Sequence, residues 1–237
     1  MTGHRPQPDL SPEAQIRDAA CVIVVDSTNG EPELLMGRRH ADQVFLPDKW
    51  VFPGGRVDAG DRTFAASFDC KYTPHDLAAE IRPFALAAVR ELCEETGLVI
   101  GSDKAALAHL AEGWSAFAAT GCTPVPAHLY PLARAITPPG RVRRYDTWFF
   151  VAERSAVAST QTRPDGELLD LDWFPLGKAR KLDLPNITRL ILEDVASRLQ
   201  DAARTGDFGG ERLPFYYADA CGFQRTLISC TGAPTTP

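Results

Sequence analysis

Three glutamates, Glu91, Glu94 and Glu95, lie within one turn and a half of a predicted helix. At about 100° per residue, a helix places their carboxylates within an arc of about 100° on one face. Like charges at these spacings oppose helix formation by about 0.2–0.5 kcal/mol per pair, so their convergence favours a bound cation. Ligands that are all oxygen favour Mg²⁺ or Mn²⁺ over Zn²⁺. The alternative interpretation is a solvated acidic face.

A glycine-rich loop precedes this helix in the chain. Residues 52–61 read Phe-Pro-Gly-Gly-Arg-Val-Asp-Ala-Gly-Asp, a composition that exposes backbone groups close to the helix. The loop and the acidic helix together favour the metal site over the solvated face.

These residues resemble the signature of the Nudix hydrolases, G-x5-E-x7-R-E-U-x-E-E-x-G-U, in which U is aliphatic. Residues 90–98 match its second half in full. The resemblance implies an α/β (α+β) fold, a mixed β-sheet sandwiched between helices, over roughly residues 18–204. It also implies a diphosphatase or pyrophosphatase that acts on phosphorus anhydrides.

The first half of the signature departs from the family. Counted from Gly55, the consensus glutamate falls on Asp61, and residues 62–89 separate Asp61 from Arg90 where the family has seven. The chain therefore carries an insert at about residues 62–82. We expect Asp61 to form a structural ion pair rather than to bind metal.

The resemblance also implies roles for the site residues. The implied ligands of one to three Mg²⁺ or Mn²⁺ ions are carboxylates of the helix and one loop carbonyl: Glu91, Glu94, Glu95 and Gly54 or Gly55. Arg90 would orient Glu91 as a general base. Glu167, before a predicted strand, is a second candidate base, and the alternative for it is a solvated loop residue.

Several arginines are candidates for binding substrate phosphates. Arg141, Arg143 and Arg144 cluster beside a predicted strand, and guanidinium groups bind phosphate oxygens in pairs. Arg38 and Arg39 end another strand near the glycine-rich loop. For both groups the alternative is a surface cluster without a partner.

The insert and three further segments resemble one subgroup, the coenzyme A diphosphatase-like Nudix proteins of the peroxisomal type. The segments are residues 45–55, 136–139 and 143–150. Of that subgroup's upstream coenzyme A signature only Arg39 is matched, because Val44 and Asp48 stand at its other positions. The resemblance implies coenzyme A or an acyl-CoA as substrate. ADP-ribose, NADH and nucleotide sugars are the alternatives, and a catalytically inactive Nudix-fold binding module is the rival from another functional class.

Composition excludes other classes of protein. The chain has 237 residues, a net charge of −6 and a pI of about 5.4, which argues against a nucleic-acid binder with a broad basic surface. Its longest strongly apolar run, residues 19–25, is far shorter than the roughly 20 residues that span a bilayer. The six cysteines are scattered without metal-binding spacing, which predicts reduced thiols. We therefore expect a cytoplasmic protein that binds neither nucleic acid nor membrane.

The hydrophobic pattern predicts the elements that position these residues. Strands are predicted at residues 19–26, 33–39, 50–52, 98–100, 145–152 and 168–174, and helices at residues 83–96, 102–119 and 186–204. Ser102 is a candidate N-cap, and Thr73-Pro74 a candidate helix start. Residues 1–17 are expected to be a loose leader. Residues 205–237 are an aromatic tail that the pattern does not place, and a homodimer contact is one interpretation of it.

Overall fold

The computed structural model describes residues 14–43, 46–67, 77–102, 112–161 and 163–230. Its strands are β1 Ile16–Asp26, β2 Glu33–Arg39, β3 Trp50–Val51, β4 Gly54–Arg56, β5 Leu98–Ser102, β6 Thr123–Pro124, β7 Tyr130–Ile136, β8 Arg144–Glu153, β9 Val157–Gln161, β10 Leu168–Pro175, β11 Arg212–Asp219 and β12 Gly222–Ser229. Its helices are α1 Ala59–Ser67, α2 Arg82–Thr96, α3 Ser115–Ala118, α4 Leu176–Ala179 and α5 Asn186–Thr205. No helix within these ranges is long and apolar enough to cross a membrane.

The parallel pair β1 and β8 forms the centre of the main sheet. The two strands stay in register from Ile16 opposite Arg144 to Val25 opposite Glu153. In the described part of the chain the strand order is β10-β2-β1-β8-β7-β11-β12, with β3 beside β2 and β4 beside β1. The smaller sheet has the order β6-β5-β9. Strands β1 and β2 pair antiparallel, with Val25 opposite Leu34.

Helices cover both faces of the main sheet. Val22 and Val24 of β1 pack with α2 in one hydrophobic cluster, whereas Ile23 and Val25 pack with α5 in a second cluster. The alternation follows from the two-residue period of a strand. The predicted mixed sheet between helices is therefore confirmed.

Helix α2, which carries the three glutamates, has residues at its ends that suit helix termini. Pro83 lies in the first turn, where the missing backbone N–H costs nothing. Gly97 follows the last turn with a left-handed φ of 74°, and its N–H donates to the Cys93 carbonyl at 2.9 Å. Leu86, Val89 and Cys93 are fully buried, as the predicted apolar face requires.

The described residues of the predicted helix at 102–119 are only partly helical. Ser102 is the last residue of β5 and does not cap a helix. Residues 103–111 lie outside the described ranges, and the described remainder contains only the short helix α3. The alanine-rich composition favoured a helix, but pairing of β5 with β6 extends the strand through Ser102. The candidate helix start at Thr73-Pro74 also lies outside the described residues.

The aromatic tail continues the main sheet as a β-hairpin. Strands β11 and β12 pair antiparallel from Arg212 to Asp219, and β11 pairs parallel with β7 at Phe215 opposite Arg134. Leu213 and Ile228 are buried in the core cluster that contains α2. The sheet therefore extends beyond the boundary expected at residue 204, because these apolar side chains require cover. It also begins inside the expected leader, at Ile16.

The cysteines in the described ranges carry free thiols, in agreement with the predicted reduced state: Cys21, Cys93, Cys122, Cys221 and Cys230.

A buried carboxyl group links α5 to this C-terminal hairpin. Asp194 accepts a hydrogen bond from the Tyr216 hydroxyl at 2.9 Å, and Arg225 lies 3.9 Å away. Burial raises the pKa of Asp194 to about 6, although Tyr216 and Arg225 oppose the shift.

We predict that Asp194→Asn flattens the pH dependence of stability. The folded chain binds the proton of Asp194 more tightly than the unfolded chain does. The contribution of Asp194 to the free energy of unfolding is therefore fully present below about pH 4 and is lost as the pH rises to about 6. Urea unfolding across this interval measures the change. Asp201→Asn, at an exposed position of the same helix, is the control and should keep the wild-type slope. A wild-type slope in Asp194→Asn would contradict the prediction.

Candidate active site

Arg90 of α2 is buried and uses all five of its N–H groups. Nε and Nη2 donate to the two carboxylate oxygens of Asp61 at 3.0 and 2.9 Å, and Nη2 also donates to the Arg56 carbonyl at 2.9 Å. Nη1 donates to Glu91 at 3.0 Å and to Glu94 at 2.9 Å. The guanidinium group therefore contacts two of the three glutamates, Glu91 and Glu94.

Asp61 fixes Arg90 from the other side. Its carboxylate is completely buried and accepts four hydrogen bonds, two of them from Arg90. The other two come from the Trp114 indole Nε1 at 2.9 Å and from the Asp58 backbone N–H at 2.8 Å. The Asp58 contact is half of a capping box at the start of α1. Asp61 thus forms the expected structural ion pair.

Two of the three glutamates, Glu91 and Glu95, lie against the glycine-rich loop. Gly54 donates its backbone N–H to Glu95 Oε2 at 2.7 Å. Burial raises the pKa of Glu91 to about 7 and raises the pKa of Glu94. Burial, followed by the charge of Glu91, raises the pKa of Glu95 well above its usual value. The three carboxylates, when ionised, therefore carry more negative charge than the positive groups around them neutralise.

The two glycines of the loop allow close approach to β1 and to the cluster. A Cβ at Gly54, whose φ is 155°, would lie 2.3 Å from the Ala20 carbonyl oxygen. A Cβ at Gly55 would lie 2.4 Å from Glu91 Oε1. A side chain at position 55 would enter the space that the Glu91 carboxylate occupies, so glycine is the residue that fits there.

The donor set fits a divalent cation that prefers oxygen ligands. Three carboxylates of one helix lie together, and burial makes their ionised forms costly unless positive charge is supplied. Within the described ranges, no three Asp, Glu, His or Cys side chains already have the geometry of a metal site. In this structure the positive charge at Glu91 and Glu94 comes from Arg90.

Glu167 lies at the same cluster. After burial and nearer charges, its negative charge also raises the pKa values of Glu91 and Glu95. The loop that carries Glu167 is tied to α2, because the Asp165 N–H donates to the Glu94 carbonyl at 2.8 Å. Glu167 therefore belongs to the site and is not a detached loop residue.

Arg39 pairs with Glu167. Its Nη2 donates to Glu167 Oε1 at 2.9 Å and to Gln43 Oε1 at 2.8 Å. Its Nε is buried and has no hydrogen-bond partner in the described part of the structure. A buried N–H without an acceptor is costly, and an anionic ligand would satisfy it.

The three arginines of the 141–144 cluster have different surroundings. Arg143 lines an open cleft of about 340 Å³ with His40, Asp42, Gln43 and Gly166. Of these lining residues, Gln43 accepts a hydrogen bond from Arg39, and Gly166 precedes Glu167 in the chain.

Arg144 departs from the prediction that it binds substrate. It is buried, and its Nε donates to the Thr137 carbonyl at 3.0 Å, so it holds the two ends of the connection between β7 and β8 together. Its position as the first residue of β8 turns the side chain inward. Arg141 is exposed.

Comparison with solved structures identifies the family. A NUDIX hydrolase from Alicyclobacillus acidocaldarius superposes with a TM-score of 0.61 and 26% sequence identity, over 77% of this chain and 92% of that chain. The match at residues 90–98 agrees with this similarity. The chain belongs to the Nudix superfamily. Neither a family model nor a curated protein matches the sequence of this Nudix hydrolase.

Two further solved structures match with lower TM-scores and identities. The NUDIX domain of Shewanella oneidensis NrtR, solved with ADP ribose, has a TM-score of 0.45 and 13% identity over 82% of this chain and 94% of that chain. A C. elegans Ap4A hydrolase has a TM-score of 0.43 and 15% identity over 78% and 99% of the two chains.

We predict that Gly55→Ala weakens binding of Mn²⁺ to this Nudix hydrolase by about 10- to 100-fold, the usual effect of disturbing a contact that orients a metal ligand. The added methyl group displaces the Glu91 carboxylate, which is the mobile end of its side chain, so the thermal midpoint should change little. Electron paramagnetic resonance of free Mn²⁺ measures the affinity. Gly177→Ala, which meets no atom within 4 Å, is the matched control. Wild-type affinity in Gly55→Ala would contradict the prediction.

Proposed function

We propose that this Nudix hydrolase cleaves the diphosphate linkage of a nucleoside diphosphate derivative with bound Mg²⁺ or Mn²⁺. One observation carries the proposal: the buried carboxylates of α2 lie beside Glu167 and beside Arg39, whose buried Nε has no acceptor among the described residues. Such a site combines ligands for a cation with a donor for an anionic substrate.

The residues that would hold the cation are three carboxylates and a loop carbonyl: Glu91, Glu94, Glu95 and Gly54 or Gly55. When bound, the cation would neutralise phosphate oxygens and lower the pKa of the attacking water. Arg90 does not reach the substrate in this proposal, because its five N–H groups are already occupied. Its role is to fix Glu91 and Glu94.

Glu167 suits the role of proton acceptor better than Glu91. The Glu91 side chain is 14% exposed and accepts a hydrogen bond from Arg90, which matches a ligand position. The Glu167 side chain is 40% exposed, and the Arg39 contact occupies one oxygen, so the other can accept a proton from water. Arg39 would keep Glu167 oriented.

The substrate would be bound by donors on one side of the carboxylates. The Nε of Arg39 would donate to a phosphate oxygen, and Arg143 would meet the remainder of the substrate in the cleft beside Gly166. Arg141, which is exposed, stays a candidate for the same role. Arg144 takes no part, since it is buried against Thr137.

Coenzyme A or an acyl-CoA is the first candidate for the substrate, on the subgroup resemblance and the Arg39 match. Val44, one of the departures from that subgroup, lies outside the described residues.

A panel of coenzyme A, acetyl-CoA, ADP-ribose, NADH and nucleotide sugars, assayed with Mg²⁺, with Mn²⁺ and with a chelator, tests the proposal. Metal-dependent cleavage of coenzyme A into two phosphorylated products supports it fully. Cleavage of ADP-ribose or NADH alone would replace the substrate but keep the chemistry, and no cleavage with either metal would favour a binding module.

We predict that Glu95→Gln and Glu167→Gln impair turnover in different ways. Glu95→Gln removes a ligand charge, so activity should fall by at least about 100-fold and respond to higher Mg²⁺ concentration. Glu167→Gln removes the proton acceptor, so kcat should fall by about 10²- to 10⁴-fold with an unchanged Mg²⁺ dependence. Steady-state kinetics against Mg²⁺ concentration measures both.

The exposed Glu80, just before α2, provides the control Glu80→Gln, which should behave as wild type. Full activity of Glu95→Gln would exclude the metal assignment, and full activity of Glu167→Gln would return the base role to Glu91.

A further inference from the structure

Trp114 contacts the active-site network from a distant part of the sequence. It is fully buried, and its indole Nε1 donates to Asp61 Oδ1 at 2.9 Å across 53 residues. Nothing in the signature segments points to this residue, which lies just before α3.

The indole ring is held in one orientation by edge-on aromatic contacts. Its centroid lies 5.0 Å from the ring of Phe64 on α1, with an interplanar angle of 83°. It lies 5.4 Å from the ring of Phe117 on α3, at 64°. Both distances and angles are those of favourable aromatic pairs, so the N–H has a fixed direction.

The donor matters because Asp61 has no access to water. Its carboxylate oxygens receive four donors, and water cannot replace the indole N–H at a fully buried oxygen. Without that donor, Oδ1 would keep only the Nε of Arg90, and the carboxylate could rotate toward it. Rotation of Asp61 would move the guanidinium that holds Glu91 and Glu94.

We infer that Trp114 is a positioning residue: its indole N–H fixes Asp61, which fixes Arg90 and through it the carboxylates of Glu91 and Glu94. The inference rests on the proposed function, because it assigns those carboxylates to the cation. A purely structural tryptophan would contribute packing alone, and loss of its N–H would then leave cation binding unchanged.

The experiment compares three proteins with wild type. Trp114→Phe removes the donor and part of the ring. Replacement of Trp114 by 3-benzothienylalanine, in which sulfur replaces the indole nitrogen, removes the donor and keeps the packing. Trp173→Phe is the control. Trp173 lies on β10, and its ring centroid is 4.6 Å from the guanidinium carbon of Arg154. Its ring takes no part in the described hydrogen bonds of Asp61 and Arg90. Mn²⁺ affinity is measured by electron paramagnetic resonance, with the thermal midpoint and the kcat and KM values of the best substrate.

Both Trp114 variants should bind Mn²⁺ about 10- to 100-fold more weakly than wild type, as is usual when a partner of a metal ligand is lost. Their kcat should fall with KM unchanged, and Trp173→Phe should match wild type. If Trp114→Phe does not fold, the benzothienyl variant decides. Wild-type Mn²⁺ affinity in the folded benzothienyl variant would overturn the inference and leave the proposed function intact, whereas absence of Mn²⁺ binding by the wild-type protein would overturn both.

Discussion

The buried ion pair between Arg90 and Asp61 is the interaction on which the active site depends. Removing two charges from water costs several kcal/mol per ion, and the mutual attraction offsets this only when the remaining donors and acceptors are also satisfied. Here Arg90 uses every N–H, and Asp61 receives four donors. A pair satisfied in this way has essentially one geometry, and that geometry determines where Glu91 and Glu94 can lie.

The scaffold brings a second constraint from the sheet. Strand β4 pairs with β1 at Gly54 and Gly55, and this pairing presses the loop backbone against the glutamate face of α2. Helix α2 packs on the same sheet through its opposite, apolar face. The acidic face is therefore fixed between the loop and Arg90, although the carboxylates repel one another. The packing of the apolar face of α2 on the sheet offsets the repulsion among these carboxylates. The site can therefore keep an excess of negative charge that a cation would neutralise.

Local patterns predicted the parts of this site that lie close together in sequence. The spacing of Glu91, Glu94 and Glu95 follows from the helix period, and the position of Asp61 follows from counting forward from Gly55. Trp114 was missed because its contacts with Asp61 and Phe64 join segments that are far apart in the sequence, which no periodicity shows. The C-terminal hairpin was missed for a similar reason, since the parallel pairing of β11 with β7 joins distant segments.

The most direct test of the account is the position of a bound cation. A crystal of the wild-type protein soaked in Mn²⁺ gives an anomalous difference map at the manganese absorption edge, and this map shows the ion without reference to activity. The account predicts a peak among the carboxylates of Glu91, Glu94 and Glu95, with Arg90 still paired to Asp61. No peak at this cluster in a crystal with Mn²⁺ bound elsewhere, or a peak that required the Arg90–Asp61 pair to separate, would contradict it.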